Sequence, residues 1–295
     1  MTPAFLTFKM EETIRKADVL IEALPYIRRF QGTWTVIKYG GKMMQSENLT
    51  KSLLQNVIFL QAVGIKSVIV HGGGPFINGA LDKKKLSPQF VEGLRVTDGE
   101  TLKIVIETLE KVSQSLSSTL KELGGKPKKF VSLNSIFSGK KCEEKDLGFV
   151  GEIEKVEITL LEESAREGFI PIISPLLKDE QGNIYNVNAD SAASEVASSL
   201  KAEKLVFITD KPGIMRQIDE PETLISILTI RQAEDLIAEG IISGGMIPKV
   251  KAGIKSIQKG VKKVHLIDGH ITHALLLEIF TDEGIGTEIV KNSSQ

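Results

Sequence analysis

Short runs of β-branched and aromatic residues that end in glycine, each followed by a stretch with helical spacing, recur along this 295-residue chain and leave few folds open to it. Residues 33–39 form the first such run and meet Gly40, Gly41 and Lys42; residues 67–70 form the second and meet His71, Gly72, Gly73, Gly74 and Pro75. Further strands are expected at 130–133, 151–158, 170–174, 205–209, 264–267 and 286–290. Helices are expected at 48–63, from 75, at 98–123, 159–167 and up to 200, then at 229–240, 249–259 and 272–280. Alternation of this kind predicts an α/β chain whose parallel sheet is covered by helices. Ahead of it, Ile14, Ala17, Leu20, Ile21, Leu24, Ile27 and Phe30 recur near helical spacing, and Pro25 inside that pattern should kink or interrupt the helix. Residues 138–151 keep no apolar period and read as a hairpin or flap. A domain boundary is expected near residue 200, with no linker, so both halves should share one sheet.

Charge narrows the function. With 37 basic and 38 acidic residues and a net charge of -1, bulk electrostatics give no reason to expect nucleic acid or an anionic membrane as partner. Small molecules are expected instead. The single cysteine, Cys142, forms no internal disulfide, and with no continuous apolar run at the start a cytoplasmic location is expected.

Three segments carry chemistry. Lys38 with Gly40 and Gly41, the His71–Gly74 turn, and Lys249 after Ser243, Gly244 and Gly245 each offer bare backbone, a cation, or both. Glycine lets amides approach an anion, and an ammonium is a compact charge where phosphoryl transfer builds negative charge. Neither strand-ending turn matches GxxxxGK[ST] or GxGxxG, so another phosphate cradle is implied. The HGGG run also spells a hydrolase oxyanion loop, but no GxSxG nucleophile elbow accompanies it. Arg95 suits a carboxylate through its planar fork, or is an ordinary ion-paired side chain. Asn186, Asn188 and Asp190 alternate, so they either share one face of an extended stretch or form a turn and helix cap. His265, His270 and His273, with Asp268 and Glu278, fit no helix-face ligand spacing, and no metal site is expected.

The glycine turns, the GLRVTD segment, the NVNAD segment and the GGMIPK loop, in this order, resemble the N-acetyl-L-glutamate kinases of the amino-acid kinase family over residues 32–291. That resemblance implies a three-layer α-β-α sandwich and transfer of the ATP γ-phosphoryl group to the side-chain carboxylate of N-acetyl-L-glutamate, a step of arginine biosynthesis. Residue by residue it makes Lys38 and Lys249 the groups that stabilise the moving phosphoryl group and Asp190 the carboxylate that orients them. Gly40, Gly41, Gly72 and Gly73 offer amides to phosphates, Arg95 and Asn186, with Gly73, hold the acceptor, and Thr209 and Asp210 lie on the nucleotide side. Magnesium would be carried by nucleotide oxygens and water. The N-terminal helix and the HALLLEIFTDEGIGT stretch resemble the arginine-inhibited branch, which implies a hexamer built as a trimer of dimers and an inhibitor site at Tyr26, His265, Glu278 and Gly284. Residues 1–31 would then serve assembly and regulation, 32–200 the acceptor and 201–295 the nucleotide. Two stretches depart from the family pattern: 133–138, and 214–217 after Gly213. Other readings are a kinase for another carboxylate, carbamate or phosphate acceptor, and a non-catalytic amino-acid sensor.

Overall fold

The computed structural model describes residues 3–143, 146–217, 220–281 and 284–292. Residues 144–145 of the expected flap, 282–283 of the C-terminal stretch, and the chain ends at 1–2 and 293–295 lie outside the described residues. In chain order the elements are α1 (Pro3–Phe30), β1 (Trp34–Tyr39), α2 (Glu47–Ala62), β2 (Lys66–His71), α3 (Gly74–Lys83), β3 (Phe90–Val91), β4 (Leu94–Arg95) and α4 (Gly99–Glu122). Then come β5 (Pro127–Phe130), β6 (Phe137–Lys141), β7 (Gly151–Val156), α5 (Ile158–Arg166), β8 (Ile170–Ile173), β9 (Leu176–Lys178), β10 (Ile184–Asn186) and α6 (Ala189–Ser199). The rest is β11 (Lys204–Thr209), β12 (Ile227–Thr229), α7 (Ile230–Ala238), α8 (Met246–Gln258), β13 (Lys263–Asp268), α9 (Ala274–Phe280) and β14 (Thr287–Val290).

One eight-stranded sheet runs β12-β14-β13-β11-β1-β2-β8-β5, and strands from both sides of residue 200 contribute to it. Every pairing in it is parallel except β13 with β14. Side chains alternate across its two faces, and the packing follows that alternation. Val36, Val68, Val70, Leu205 and Phe207 join one core with Ala193 and Val196 of α6 and Val250 and Ile254 of α8. Ile37, Tyr39, Ile69, Val206 and Ile208 join the other with Leu54 of α2, Leu116 of α4 and Leu275 of α9. The result is the expected helix–sheet–helix sandwich. Lys38 therefore shares Val36's face and turns toward α6 and α8. His71 shares Ile69's face and turns toward α4.

Strand β1 lies between β11 and β2, all three parallel, so the carboxyl ends of three neighbouring strands open at one rim. In open α/β sheets a crevice forms there, because connections on the two sides of such a strand lead away in opposite directions. A second, four-stranded sheet (β10-β9-β6-β7) and the β3–β4 hairpin bring Asn186, Phe90 and Arg95 to a cavity they share with Lys38, Gly41 and Gly72 at this rim.

Two local expectations change. The strand expected at 130–133 lies at Pro127–Phe130, and Leu133 is 87% exposed. It is the sheet's edge strand, where Lys128 and Lys129 interrupt the apolar run used to place it. Helix α1 runs through Pro25 as one element, so the interruption that Pro25 could have caused does not occur. Proline frees only the carbonyl one turn earlier, and that carbonyl belongs to Ile21, whose residue is 67% exposed and open to water. The turn at 181–183 closes a β9–β10 hairpin, and the three-residue strands on either side of it give too short a pattern to read from sequence. Asp179 fastens it by accepting from the Asn183 N–H, the Asn183 side-chain amide and the Tyr185 hydroxyl.

Candidate active site

At the rim, Asp190 bridges two lysines. Its Oδ1 lies 3.0 Å from Lys38 Nζ and its Oδ2 accepts from Lys249 Nζ at 2.8 Å. Strand alternation aims Lys38 at α6. Asn188 caps α6 by accepting from the Asp190 and Ser191 N–H groups, which sets Asp190 in the first helical turn. Lys249 stands in the first turn of α8, which begins at Met246, three residues ahead of the expected start. Asp190 and Lys38 are both buried. Burial pushes against the Asp190 charge, but the two ammoniums outweigh it and hold the carboxyl below the usual carboxylate range. Burial also pulls Lys38 down, opposed by Asp190 and assisted by Lys249. Two ammoniums on one carboxylate leave a net positive site.

The glycines make room for this charge. A Cβ on Gly40 would stand 2.6 Å from Lys38 Nζ and 3.8 Å from the Gly72 α-carbon, so the two turns touch backbone to backbone. Gly41 takes φ +81°, which suits glycine. A Cβ on Gly73 would meet Leu109 at 2.7 Å. Gly72 differs from expectation: its N–H donates to the Tyr39 carbonyl at 2.8 Å, which continues the strand ladder and takes that amide from any phosphate. Gly73, Gly74 and Pro75 open α3, so that helix's positive end faces the same cavity.

Two cavities meet at the bridge. One, of about 240 Å³, is lined by Lys38, Gly41, Gly72, Gly73, Arg95 and Asn186, together with Asn188 and Asp190. The other, of about 430 Å³, is lined by Thr209, Asp210, Ile214, Met215, Ser243 and Lys249. Thus Lys38 faces the first cavity, Lys249 faces the second, and Asp190 joins them. Thr209 is buried and folds its hydroxyl back onto Lys211, whereas Asp210 is exposed at the strand end.

In the smaller cavity Arg95 is buried, donates from Nη2 to Asn78 Oδ1 at 2.5 Å and lies over the Phe90 ring at 4.7 Å. Its Nη1 is buried without a hydrogen-bond partner among the described residues. A buried orphan guanidinium nitrogen costs free energy unless an anion completes it. Asn186 ends β10 and donates to Thr97 Oγ1 at 3.3 Å. Of the two sequence readings of this stretch, the cap holds for Asn188, yet Asn186, Asn188 and Asp190 all line one cavity. Asn78 and Phe90, which orient Arg95, carried no signal in the sequence, because they meet it only through the α3 and β3–β4 packing.

His265, Glu278 and Gly284 gather elsewhere, behind β13. Glu278 Oε1 accepts from His265 Nδ1 at 2.6 Å, and Oε2 accepts from the Ile285 and Gly286 amides at 2.7 and 3.1 Å. Lys204, which the sequence reading passed over, donates to His265 Nε2 at 3.2 Å, and burial pushes its pKa down to about 8. Tyr26 packs against the core cluster that contains Ile279 and Phe280 of α9. Among the described residues no three His, Cys, Asp or Glu side chains come together as a metal site.

The amino acid kinase family model matches residues 33–268, which span both cavities and both lysines. The chain belongs to the amino acid kinase family. It is similar to the acetylglutamate kinase of Synechocystis sp., 45% identical over 282 residues and 95% of each chain. The acetylglutamate kinase of Methanocaldococcus jannaschii is 47% identical over 299 residues, covering 96% of this chain and 99% of the other. Among solved structures, the N-acetylglutamate synthase of Neisseria gonorrhoeae superposes with a TM-score of 0.85 and 27% identity in its complex with coenzyme A and N-acetyl-glutamate. Its complex with coenzyme A and L-arginine gives 0.81 and 25%. Both matches cover 94% of this chain but only 64% and 66% of the synthase, which is the longer protein. Membership implies ATP as the phosphoryl donor.

Gly40→Ala should separate catalysis from stability. The added methyl meets the end of the Lys38 side chain rather than backbone, so the cost to stability is confined to the loosened Lys38–Asp190 pair and the thermal midpoint should fall by less than about 10 °C. Turnover should fall about tenfold to a hundredfold as the ammonium is displaced. Unchanged turnover, measured beside a melting curve, would show that Lys38 need not occupy this place.

Proposed function

We propose that this chain transfers the γ-phosphoryl group of ATP to the side-chain carboxylate of N-acetyl-L-glutamate, giving N-acetyl-L-glutamyl 5-phosphate and ADP. The observation that carries the reading is the pair of cavities joined by Lys38, Asp190 and Lys249. The larger cavity is assigned to the nucleotide and the smaller to the acceptor, so residues 32–200 serve the acceptor and 201–295 the nucleotide. Arg95 Nη1 takes the acceptor's α-carboxylate, Asn186 supports it, and the γ-carboxylate is left directed at the bridge. One of its oxygens bonds to the γ-phosphorus as the bond to the bridging oxygen of ADP breaks. No proton moves, because a glutamate-like acid with a pKa of about 4.3 is already ionised at neutral pH. That suits an acceptor cavity lined by ammonium, guanidinium and backbone amides, whose one carboxylate, Asp190, is held by two lysines. Lys38 and Lys249 stabilise charge on the transferring group, and Asp190 keeps both aimed without the long side chains losing register. Magnesium is assigned to the nucleotide's own oxygens, since Asp190 is committed to two lysines; no step of this scheme runs through it.

Trapping the acyl phosphate with hydroxylamine tests the reading. Hydroxamate should form with ATP and N-acetyl-L-glutamate together, and Lys38→Ala or Lys249→Ala should each lower its rate about a hundredfold to a thousandfold, with a small change in the acceptor KM. Formation of ADP without hydroxamate, or transfer to carbamate or aspartate instead, would overturn the acceptor assignment.

We also assign feedback inhibition by L-arginine to the corner where α1, α9 and β13 meet, and assembly of a cytoplasmic hexamer to α1. The support for α1 is an exposed apolar stripe, where Met10, Ile14 and Ile21 recur at helical spacing and are each more than half exposed. For arginine the support is the resemblance together with the convergence of His265, Glu278 and Gly284. Glu278 Oε2 already accepts from two amides and Oε1 only from His265, so Oε1 keeps a lone pair that a guanidinium can use. Glu278→Gln should therefore abolish arginine inhibition while keeping turnover. Full wild-type activity in saturating arginine would contradict the assignment.

A further inference from the structure

The glycine turn after β2 contains one peptide that nothing in its own sequence holds in place. Gly72 and Gly73 are both permissive about their backbone angles, so the peptide between them can rotate end over end at little steric cost. Its orientation matters. With the carbonyl turned into the cavity, the oxygen would present negative charge to a phosphate; with the carbonyl turned away, the Gly73 N–H presents a donor instead.

His71 decides which. Its side chain is fully buried on the α4 side of the sheet, opposite the face that carries Lys38. Nδ1 lies 2.9 Å from the Gly72 carbonyl oxygen, which can only accept, so the proton is on Nδ1. Nε2 lies 2.6 Å from Ser113 Oγ of α4 and 3.1 Å from Ser174 Oγ after β8, and those hydroxyls are 3.0 Å apart. The ring is neutral, since burial pushes its pKa down to about 4, and Nε2 therefore accepts from a serine. Each ring nitrogen thus has its partner, and the imidazole is fixed by two elements that are not part of the turn. The Gly72 N–H is spent on Tyr39, and the Gly73 α-carbon is pinned beside Leu109. The peptide plane between them is what remains free.

We propose that His71 is a positioning residue for phosphoryl transfer: by holding the Gly72 carbonyl inward through Nδ1–H, it keeps the Gly73 N–H directed into the cavity beside Lys38. The proposal rests on the phosphoryl-transfer reading of that cavity. It also gives the HGGG run a role unrelated to an oxyanion loop for acyl transfer.

Two substitutions divide the ring's functions. In His71→Asn the amide nitrogen stands where Nδ1 stood and can still donate to Gly72. In His71→Gln it reaches where Nε2 stood and cannot. His71→Gln should lower kcat about tenfold to a hundredfold with the N-acetyl-L-glutamate KM within about threefold, and His71→Asn should recover most of the loss. Equal losses in the two variants, or a loss confined to KM, would overturn the proposal. Nitrogen-15 NMR of histidine-labelled wild-type enzyme supplies a readout that needs no variant to fold: His71 should show a protonated Nδ1 and a bare Nε2 at neutral pH, and the opposite tautomer or a charged ring overturns the proposal. A wild-type enzyme that transfers phosphoryl to no acceptor would sink the reading of the cavity, whereas an active wild type with indistinguishable Asn and Gln variants sinks the role of His71 alone.

Discussion

A buried carboxylate held between two ammoniums is the constraint around which this structure is arranged. Burying the Asp190 and Lys38 charges costs several kcal/mol per ion, and the pairing offsets it only if Asp190 keeps close contact with both lysines. Three elements must therefore meet at one point: the end of β1 for Lys38, the capped start of α6 for Asp190, and the first turn of α8 for Lys249. The bridge keeps one positive charge beyond neutrality, which is what an anionic group arriving from either cavity encounters. Low local polarity strengthens that attraction relative to water.

The sheet sorts the rest of the chemistry by face. Successive residues at the ends of β1 and β2 point to opposite layers, so Lys38 reaches the charged bridge while Tyr39 and His71 anchor the rim from the far side. Tyr39 supplies the carbonyl that takes up the Gly72 N–H, and its hydroxyl meets Thr50 of α2 at 2.9 Å. The two glycine turns can touch because neither has a Cβ at the contact. Rigid support on one face and charge on the other allow the amides at the rim to stay fixed while ligands enter and leave.

Much of this was legible in the sequence. The long buried strands β1, β2, β11 and β13 show as β-branched runs, and both lysines stand out because they adjoin glycine. Residues whose role depends on meeting a distant element were not legible: Asn78 and Phe90 around Arg95, Ser113 and Ser174 around His71, Lys204 beside His265. The charged edge strand β5 and the three-residue strands β9, β10 and β12 have too little apolar pattern to locate. Gly72 shows a subtler limit, since a glycine marks close approach but does not tell which backbone group is already taken.

The bridge makes a demand that independent charges would not. If Asp190 sets both ammoniums, removing either lysine pulls the carboxylate onto the survivor and misplaces that one too. A double-mutant cycle on single-turnover phosphoryl transfer, using Lys38→Met, Lys249→Met and the combined variant, measures this directly. With the lysines coupled through Asp190, the combined variant should be within about tenfold of the slower single variant. Rate losses that multiply, so that the double variant falls by the product of the two, would contradict it and show two lysines acting separately.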